Sequence, residues 1–107
     1  MVIKRFEIWL INLDPTLGRE IKKIRPCIIL SHESINEYLD TLIVAPLTST
    51  IKSYPMRVDC NFMKKQGQIA LDHMRSIDRL RLVKKLGVMN STVNKNVCNV
   101  LLEYFKY

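Results

Sequence analysis

The sequence predicts a mainly β fold with short helices, a small barrel or sandwich closed by one C-terminal amphipathic helix. Three observations carry that reading. Five short apolar runs fall within the first seventy-five residues, joined by short polar stretches. The intervals between them are too short for crossover helices, which argues against βαβ units. From Val93 onward the apolar residues switch to three- and four-residue spacing. With 107 residues, 48% hydrophobic and 25% charged, the chain has room for one core, and residues 1–107 read as a single domain. That composition excludes a disordered chain, and the length excludes a multidomain enzyme.

The elements follow in order. Lys4 to Leu13 is rich in β-branched and aromatic residues, with Phe6, Ile8 and Leu10 on one face and Glu7, Trp9 and Ile11 on the other. Both faces are largely apolar, so this strand is expected to be covered on both sides. Asn12, Asp14, Pro15 and Gly18 end it and open a charged loop through Arg19, Glu20, Lys22 and Lys23 to Arg25. Cys27 to Leu30 reads as a central strand, with Pro26 at its first position. Ser31 to Asp40 is a loop or one helical turn. Thr41 to Pro46 is a third strand, and Tyr54 to Cys60 a half-buried fourth, Met56 and Val58 alternating with Arg57 and Asp59. A basic turn over Asn61 to Gly67 leads to a fifth strand, Gln68 to Met74. Asp78 to Leu82 is then expected as a helical turn, and Val83 to Val88 as a strand. Asn90 and Ser91 cap a helix carrying Val93, Val97, Val100, Leu101 and Tyr104. Its three valines are poor helix formers, so packing has to stabilise it.

The net charge is +7, from 17 Lys and Arg against 10 Asp and Glu. Such a field favours a polyanion or an acidic protein partner. Cys27, Cys60 and Cys98 lie far apart, and with only His32 and His73 to help them no zinc site or other metal site is expected. Cys27 and Cys98 sit in apolar runs, as core thiols of a reducing compartment do. The N-terminus lacks a signal-peptide pattern and no apolar run is long enough for a bilayer, so a cytoplasmic protein without membrane contact is expected. The three glycines form no phosphate-cradling loop, and no cofactor is implied. Ser31 and His32 are adjacent and make a poor nucleophile–base pair.

Two strand edges remain. Arg25 closes the charged loop before one apolar strand, and Thr48 lies just beyond another. On neighbouring strands, a guanidinium and a hydroxyl would meet at one rim. The guanidinium could grip a phosphate bidentately and offset charge in a pentacovalent transition state. The alternative, an arginine solvating a loop and a threonine capping a turn, stays open on these residues alone.

Four runs in order, FEIWLINLDP (Phe6–Pro15), GREIKKIRPCIIL (Gly18–Leu30), IVAPLTS (Ile43–Ser49) and GQIALDHMRSIDRLRLVKKLG (Gly67–Gly87), resemble the MazF/PemK toxins of type II toxin–antitoxin pairs. The resemblance runs colinearly from about residue 4 to 104. It implies a small SH3-like barrel, a homodimer and an antitoxin protein as partner. The implied activity is metal-independent cleavage of single-stranded RNA at a short word, leaving a 2′,3′-cyclic phosphate and a 5′-OH. Carried over, the catalytic arginine of the RP pair falls on Arg25 and the catalytic threonine of the T-S pair on Thr48, beside Ser49. The acidic loop residue falls on Glu20, next to Arg19. Members similar to the plasmid toxin Kid use an aspartate where Asp72 stands, in the expected fifth strand. Ala70 occupies the place of that branch's arginine, which favours the Arg25–Thr48 arrangement over a Kid-type acid–base division. Arg75 ends the same run and could fix the site or a dimer contact. Phe6 stands where the family usually has glycine.

Lys22, Lys23, Lys64 and Lys65 suit long-range phosphate attraction. His73 reads as a satisfied or exposed strand histidine, and Trp9 as barrel wall or interface. A dimer is expected to hide Trp9, Ile11 or parts of the C-terminal helix. As a general base, histidine suits neutral pH better than threonine or arginine, and the sequence assigns none. Two other readings stand beside the nuclease. One is a non-catalytic RNA-binding barrel, which would want a display of aromatic side chains. The other is a non-nuclease toxin of the same fold acting on a protein, which would want a functional C-terminal tail. This chain instead ends in an apolar helix and Tyr107.

Overall fold

The computed structural model describes residues 2–13 and 23–107. Seven strands, β1 (Glu7–Asn12), β2 (Ile24–Ile29), β3 (Thr41–Thr48), β4 (Arg57–Phe62), β5 (Lys65–Ala70), β6 (Arg75–Asp78) and β7 (Leu82–Val88), form one curled antiparallel sheet. Its order is β4-β5-β3-β2-β1-β7, and β6 pairs with the first half of β3. The long β3 therefore serves two neighbours on one side: Thr41 to Val44 meet β6, and Leu47 and Thr48 meet β5. One helical turn, α1 (Glu33–Asn36), follows β2, and α2 (Ser91–Phe105) closes the chain. No helix among the described residues is long and apolar enough to cross a membrane.

The expected two-sided burial of the first strand holds. Ile8 joins a core with Ile28, Ala45, Ile69, Met89, Val93 and Val97, which α2 covers. Trp9 and Ile11 join a second core with Ile3, Cys27, Ile29, Val44 and Ile77. Trp9 is 7% exposed and Ile11 fully buried, so neither is available to a dimer surface. The indole Nε1 donates to Glu7 Oε1 at 3.0 Å, and Lys85 Nζ lies 3.0 Å from Glu7 Oε2. Burial raises the Glu7 carboxyl, but the bonds from Trp9 and Lys85 outweigh it and hold it below the usual carboxylate range.

Several boundaries differ from expectation for local reasons. Lys4 to Phe6 do not extend β1, because Phe6 takes φ +74° and turns the chain there. Glycine adopts that backbone without strain, whereas a bulky side chain resists it. Phe6 is anchored by its N–H to Ile29 O and its carbonyl to Met89 N–H, and the Arg5 guanidinium sits 4.8 Å from its ring centroid. Pro26 lies inside β2 instead of starting it. Its missing N–H is tolerated because β2–β3 pairing begins one residue later, at Cys27 opposite Pro46. The β4–β5 turn is two residues, Met63 and Lys64, both at positive φ, and Lys65 already pairs with Phe62.

The expected fifth strand stops at Ala70. Leu71 to His73 form a 3₁₀ turn, so Asp72 and His73 lie off the sheet, and Arg75 opens β6 instead of ending β5. Arg79 to Arg81 form the second short turn.

A buried polar knot ties three segments together. The Asn36 side chain, 1% exposed, donates to Ile3 O and Ser31 O at 2.8 and 2.9 Å. Its carbonyl accepts from Ser31 Oγ at 2.6 Å, and Ser31 Oγ accepts from the Ile43 N–H. His32 caps α1 by accepting the Ser34 N–H, a local role for the Ser31-His32 pair.

Candidate active site

Arg25 and Thr48 lie at the ends of adjacent strands. The last β2–β3 pair toward that end is Cys27 with Pro46. Continuing the register by two residues sets Arg25 opposite Thr48. Both line two cavities. The first, about 510 Å³, is bordered by Lys23, Arg25, Thr48, Arg57, His73 and Arg75. The second, about 440 Å³, is more apolar, with Leu10, Cys60, Phe62 and Leu86 beside Lys65 and Gln66. Among the described residues nothing pairs with the Arg25 guanidinium, which is exposed.

Thr48 is held closely. Its Oγ1 accepts the Thr50 N–H at 3.1 Å, which leaves its own O–H to donate elsewhere. Thr48 pairs with Gln68 of β5, and the neighbouring Gly67 lets the backbones approach: a Cβ there would stand 2.5 Å from Thr48 O. Gln68, 4% exposed, clamps the segment after Thr48. Its Oε1 accepts the Lys52 N–H at 3.0 Å, and its Nε2 donates to Lys52 O and Asp59 Oδ1, each at 3.0 Å.

Arg57 completes this clamp and is one of two cavity residues, with His73, that sequence reasoning missed as parts of the site. It read only as the polar face of a strand, and nothing local signals more. Its side chain is 7% exposed, and Nη1 donates to Thr50 O at 3.4 Å. Nε donates to Asp72 Oδ1 at 2.7 Å and Nη2 to Asp72 Oδ2 at 3.3 Å. The Tyr54 ring lies 5.1 Å from the guanidinium carbon. Arg57 also pairs across the ladder with Ala70. The sheet thus brings a guanidinium to Asp72 from β4, although position 70 carries none. The hydrogen bond from Arg57 holds the Asp72 carboxyl below the usual carboxylate range, against a smaller opposing effect of burial.

Of the other sequence-predicted residues, Lys23 and Arg75 face the first cavity and Ser49 the second. Arg75 Nη1 donates to Leu13 O at 3.4 Å. Arg19, Glu20 and Lys22 lie outside the described residues. Burial pushes the Cys27 thiol up to about 12, with Arg75 and Arg25 offsetting only part of that. Cys27 is therefore an inert core thiol, and Cys60 is buried too, whereas Cys98 is only partly covered. Among the described residues no three His, Cys, Asp or Glu side chains converge as metal ligands would.

Residues 4–105 match the model of the PemK-like, MazF-like toxins of type II toxin–antitoxin systems. A curated relative, the endoribonuclease MazF of Staphylococcus saprophyticus, is 31% identical over 106 residues, covering 94% of this chain and 88% of its own. The crystal structure of MazF from Deinococcus radiodurans superposes with a TM-score of 0.81 at 27% identity, covering 100% of this chain and 99% of its own. A MazE–MazF structure from the same organism gives 0.81 at 27% identity, covering 97% and 96%.

Proposed function

The chain belongs to the PemK-like, MazF-like toxin family of type II toxin–antitoxin systems, and from that premise we propose that it is an endoribonuclease cutting single-stranded RNA at a short sequence word. The ribose 2′-OH attacks the adjacent phosphorus without a metal, leaving a 2′,3′-cyclic phosphate and a 5′-OH. The observation that carries this reading is the register that sets Arg25 opposite Thr48 beside a cationic cavity.

In this mechanism the exposed Arg25 guanidinium binds the scissile phosphate and offsets the charge that grows on its oxygens. The Thr48 hydroxyl, accepting from Thr50, donates to one of them. Lys23 and Arg75 draw the flanking backbone in, and Ser49 borders the neighbouring cavity. Glu20, Arg19 and Lys22 are assigned to RNA contact by the family resemblance alone. Asp72 acts through its ion pair with Arg57 and not as an isolated base.

The active form is a homodimer working on mRNA in the cytoplasm. With Trp9 and Ile11 buried, the surface for a second copy is a groove of about 610 Å³ between α2 and β3. Leu102, Phe105 and Ile43 stand 67%, 65% and 46% exposed along it. The cognate antitoxin supplies an acidic, partly disordered segment that covers the RNA site. The +7 charge speeds its capture and makes the binding salt-sensitive.

The test is to incubate the purified protein with long single-stranded RNA in EDTA and map the new 5′ ends. Cutting at one short word with 5′-OH ends is expected, and intact RNA overturns the reading. Light scattering at micromolar concentration should return a dimer.

A further inference from the structure

We propose that Gln68 is a positioning residue for the Thr48 hydroxyl, acting with Arg57 through the backbone of residues 50–52. The inference rests on the RNA-cleavage reading and deepens it, because a hydroxyl serves a transition state only when it is aimed beforehand. Gln68 does not touch RNA in this role. Its side chain is buried and its amide is taken up entirely by protein groups.

The need for such a device follows from where Thr48 sits. It is the last residue of β3, and its pair with Gln68 closes the β3–β5 ladder. Residues 49–52 then leave the sheet, exposed and outside any strand or helix. A threonine at such an end is free to change rotamer and to spend its hydroxyl on nearby backbone or water. Here the Oγ1 accepts the Thr50 N–H at 3.1 Å, so the hydroxyl takes its orientation from the stretch that follows it. With that lone pair committed, the hydroxyl hydrogen points away from Thr50 and is left to donate. Whatever fixes residues 50–52 therefore aims Thr48.

Gln68 replaces the ladder that ends at Thr48. Its Oε1 accepts the Lys52 N–H and its Nε2 donates to Lys52 O, both at 3.0 Å. One side-chain amide thus pairs with both polar groups of one residue, as an opposite residue does in an antiparallel sheet. The second Nε2 hydrogen goes to Asp59 Oδ1 at 3.0 Å, and Oε1 also receives Arg57 Nη1 at 3.5 Å. The amide has two donors and two acceptor sites, all occupied, so only one orientation satisfies it. Arg57 adds the bond from Nη1 to Thr50 O, and its own place is set by two bonds to Asp72. Both ends of the stretch 50–52 are then held by nearly buried side chains. Leucine at position 68 would fill the space and make neither bond to Lys52. Glutamate would keep the acceptor, lose the donor to Lys52 O and set a second carboxylate beside Asp59.

The experiment is single-turnover cleavage of an RNA oligonucleotide carrying the mapped word, over a series of protein concentrations. This separates the limiting rate from the half-saturating concentration. Gln68→Leu should lower the limiting rate about tenfold, less than the roughly 100-fold expected for removing a donor outright, and move half-saturation less than about threefold. Arg57→Met should follow the same pattern, so either variant that keeps a cooperative unfolding transition carries the test. The decisive readout is each substitution repeated in Thr48→Ala protein. With no hydroxyl to aim, the added loss should be under about twofold, whereas a merely structural role costs the same in both backgrounds. In the wild-type protein the exposed Thr50 and Lys52 amides should exchange hydrogen at least about tenfold more slowly than a free peptide. Exchange at the free-peptide rate overturns the inference whatever the variants do. So does a folded variant with the wild-type limiting rate, a loss confined to half-saturation, or an equal loss with and without the hydroxyl, and in each case the cleavage reading stands. If the wild-type protein leaves every RNA intact, the reading itself fails and takes the inference with it.

Discussion

The two sides of the candidate site are built in opposite ways. On the β3–β5 side, Thr48 is fixed by Gly67, by the Gln68 clamp on Lys52 and by Arg57 reaching Thr50. On the β2 side, Arg25 is exposed, with no partner among the described residues. A hydroxyl donates one directional bond and gains from being aimed before substrate arrives. A guanidinium has five donors and can settle onto a phosphate as it binds. The difference predicts that Thr48 is vulnerable to changes at residues that never touch RNA, whereas Arg25 is vulnerable only to its own replacement.

The largest effects should come from direct removal. Arg25→Ala and Thr48→Ala should each slow single-turnover cleavage at least about 100-fold, the scale of one lost transition-state donor. Both variants should keep wild-type thermal unfolding, since both residues sit at strand ends. A folded variant cutting at the parent rate removes that residue from the mechanism.

Gly67→Ala separates the two sides more sharply. The new methyl cannot coexist with the Thr48 carbonyl, so the β3–β5 backbones must part. Cleavage should fall about tenfold and stability by about 1–3 kcal/mol, the range for forced overpacking. Binding of a 2′-deoxy oligonucleotide through Arg25 should survive. Parallel loss of both would show that the sides are not independent.

Gln68→Ala should cost about 1–3 kcal/mol in urea unfolding, because it strips partners from Lys52 and Asp59 in a part-buried place. The smallest effect concerns acid. Asp72 titrates lower in the folded chain than its ordinary 3.8, so its stabilisation is complete above that value and is lost as pH falls through the depressed one. Asp72→Asn should therefore flatten the acid side of the stability profile and leave its neutral region nearly unchanged in slope.

These contrasts also explain what was legible in the sequence. β1, β3 and α2 announce themselves because each buries an apolar pattern with its own period, and Asn90 marks the start of α2 through its cap on Val93. β6 was hidden. Arg75 to Asp78 is four residues with one buried side chain, Ile77, and its strand state depends on pairing with β3. Arg25 and Thr48 stood out as polar residues at the ends of apolar runs, but their meeting required knowing that β2 and β3 are neighbours. Arg57 and His73 were not legible at all as site residues. Arg57 reaches Asp72 across fifteen positions through the β4–β5 ladder, and His73 faces the cavity only because the chain leaves the sheet at Leu71. Positions can be read from local pattern, whereas convergence is a property of register.

The knot around Asn36 bears on where this polypeptide can be cut. Its amide hydrogens are spent on the carbonyls of Ile3 and Ser31, and Ile3 is itself fully enclosed. Trimming the start through Ile3 would strip a hydrophobic anchor and strand a buried donor, a change to the interior although it begins at a terminus. Lys106 and Tyr107, by contrast, lie beyond α2 and are exposed. A protease ladder read by mass spectrometry should therefore nibble the far end freely while the near end resists until the whole domain opens.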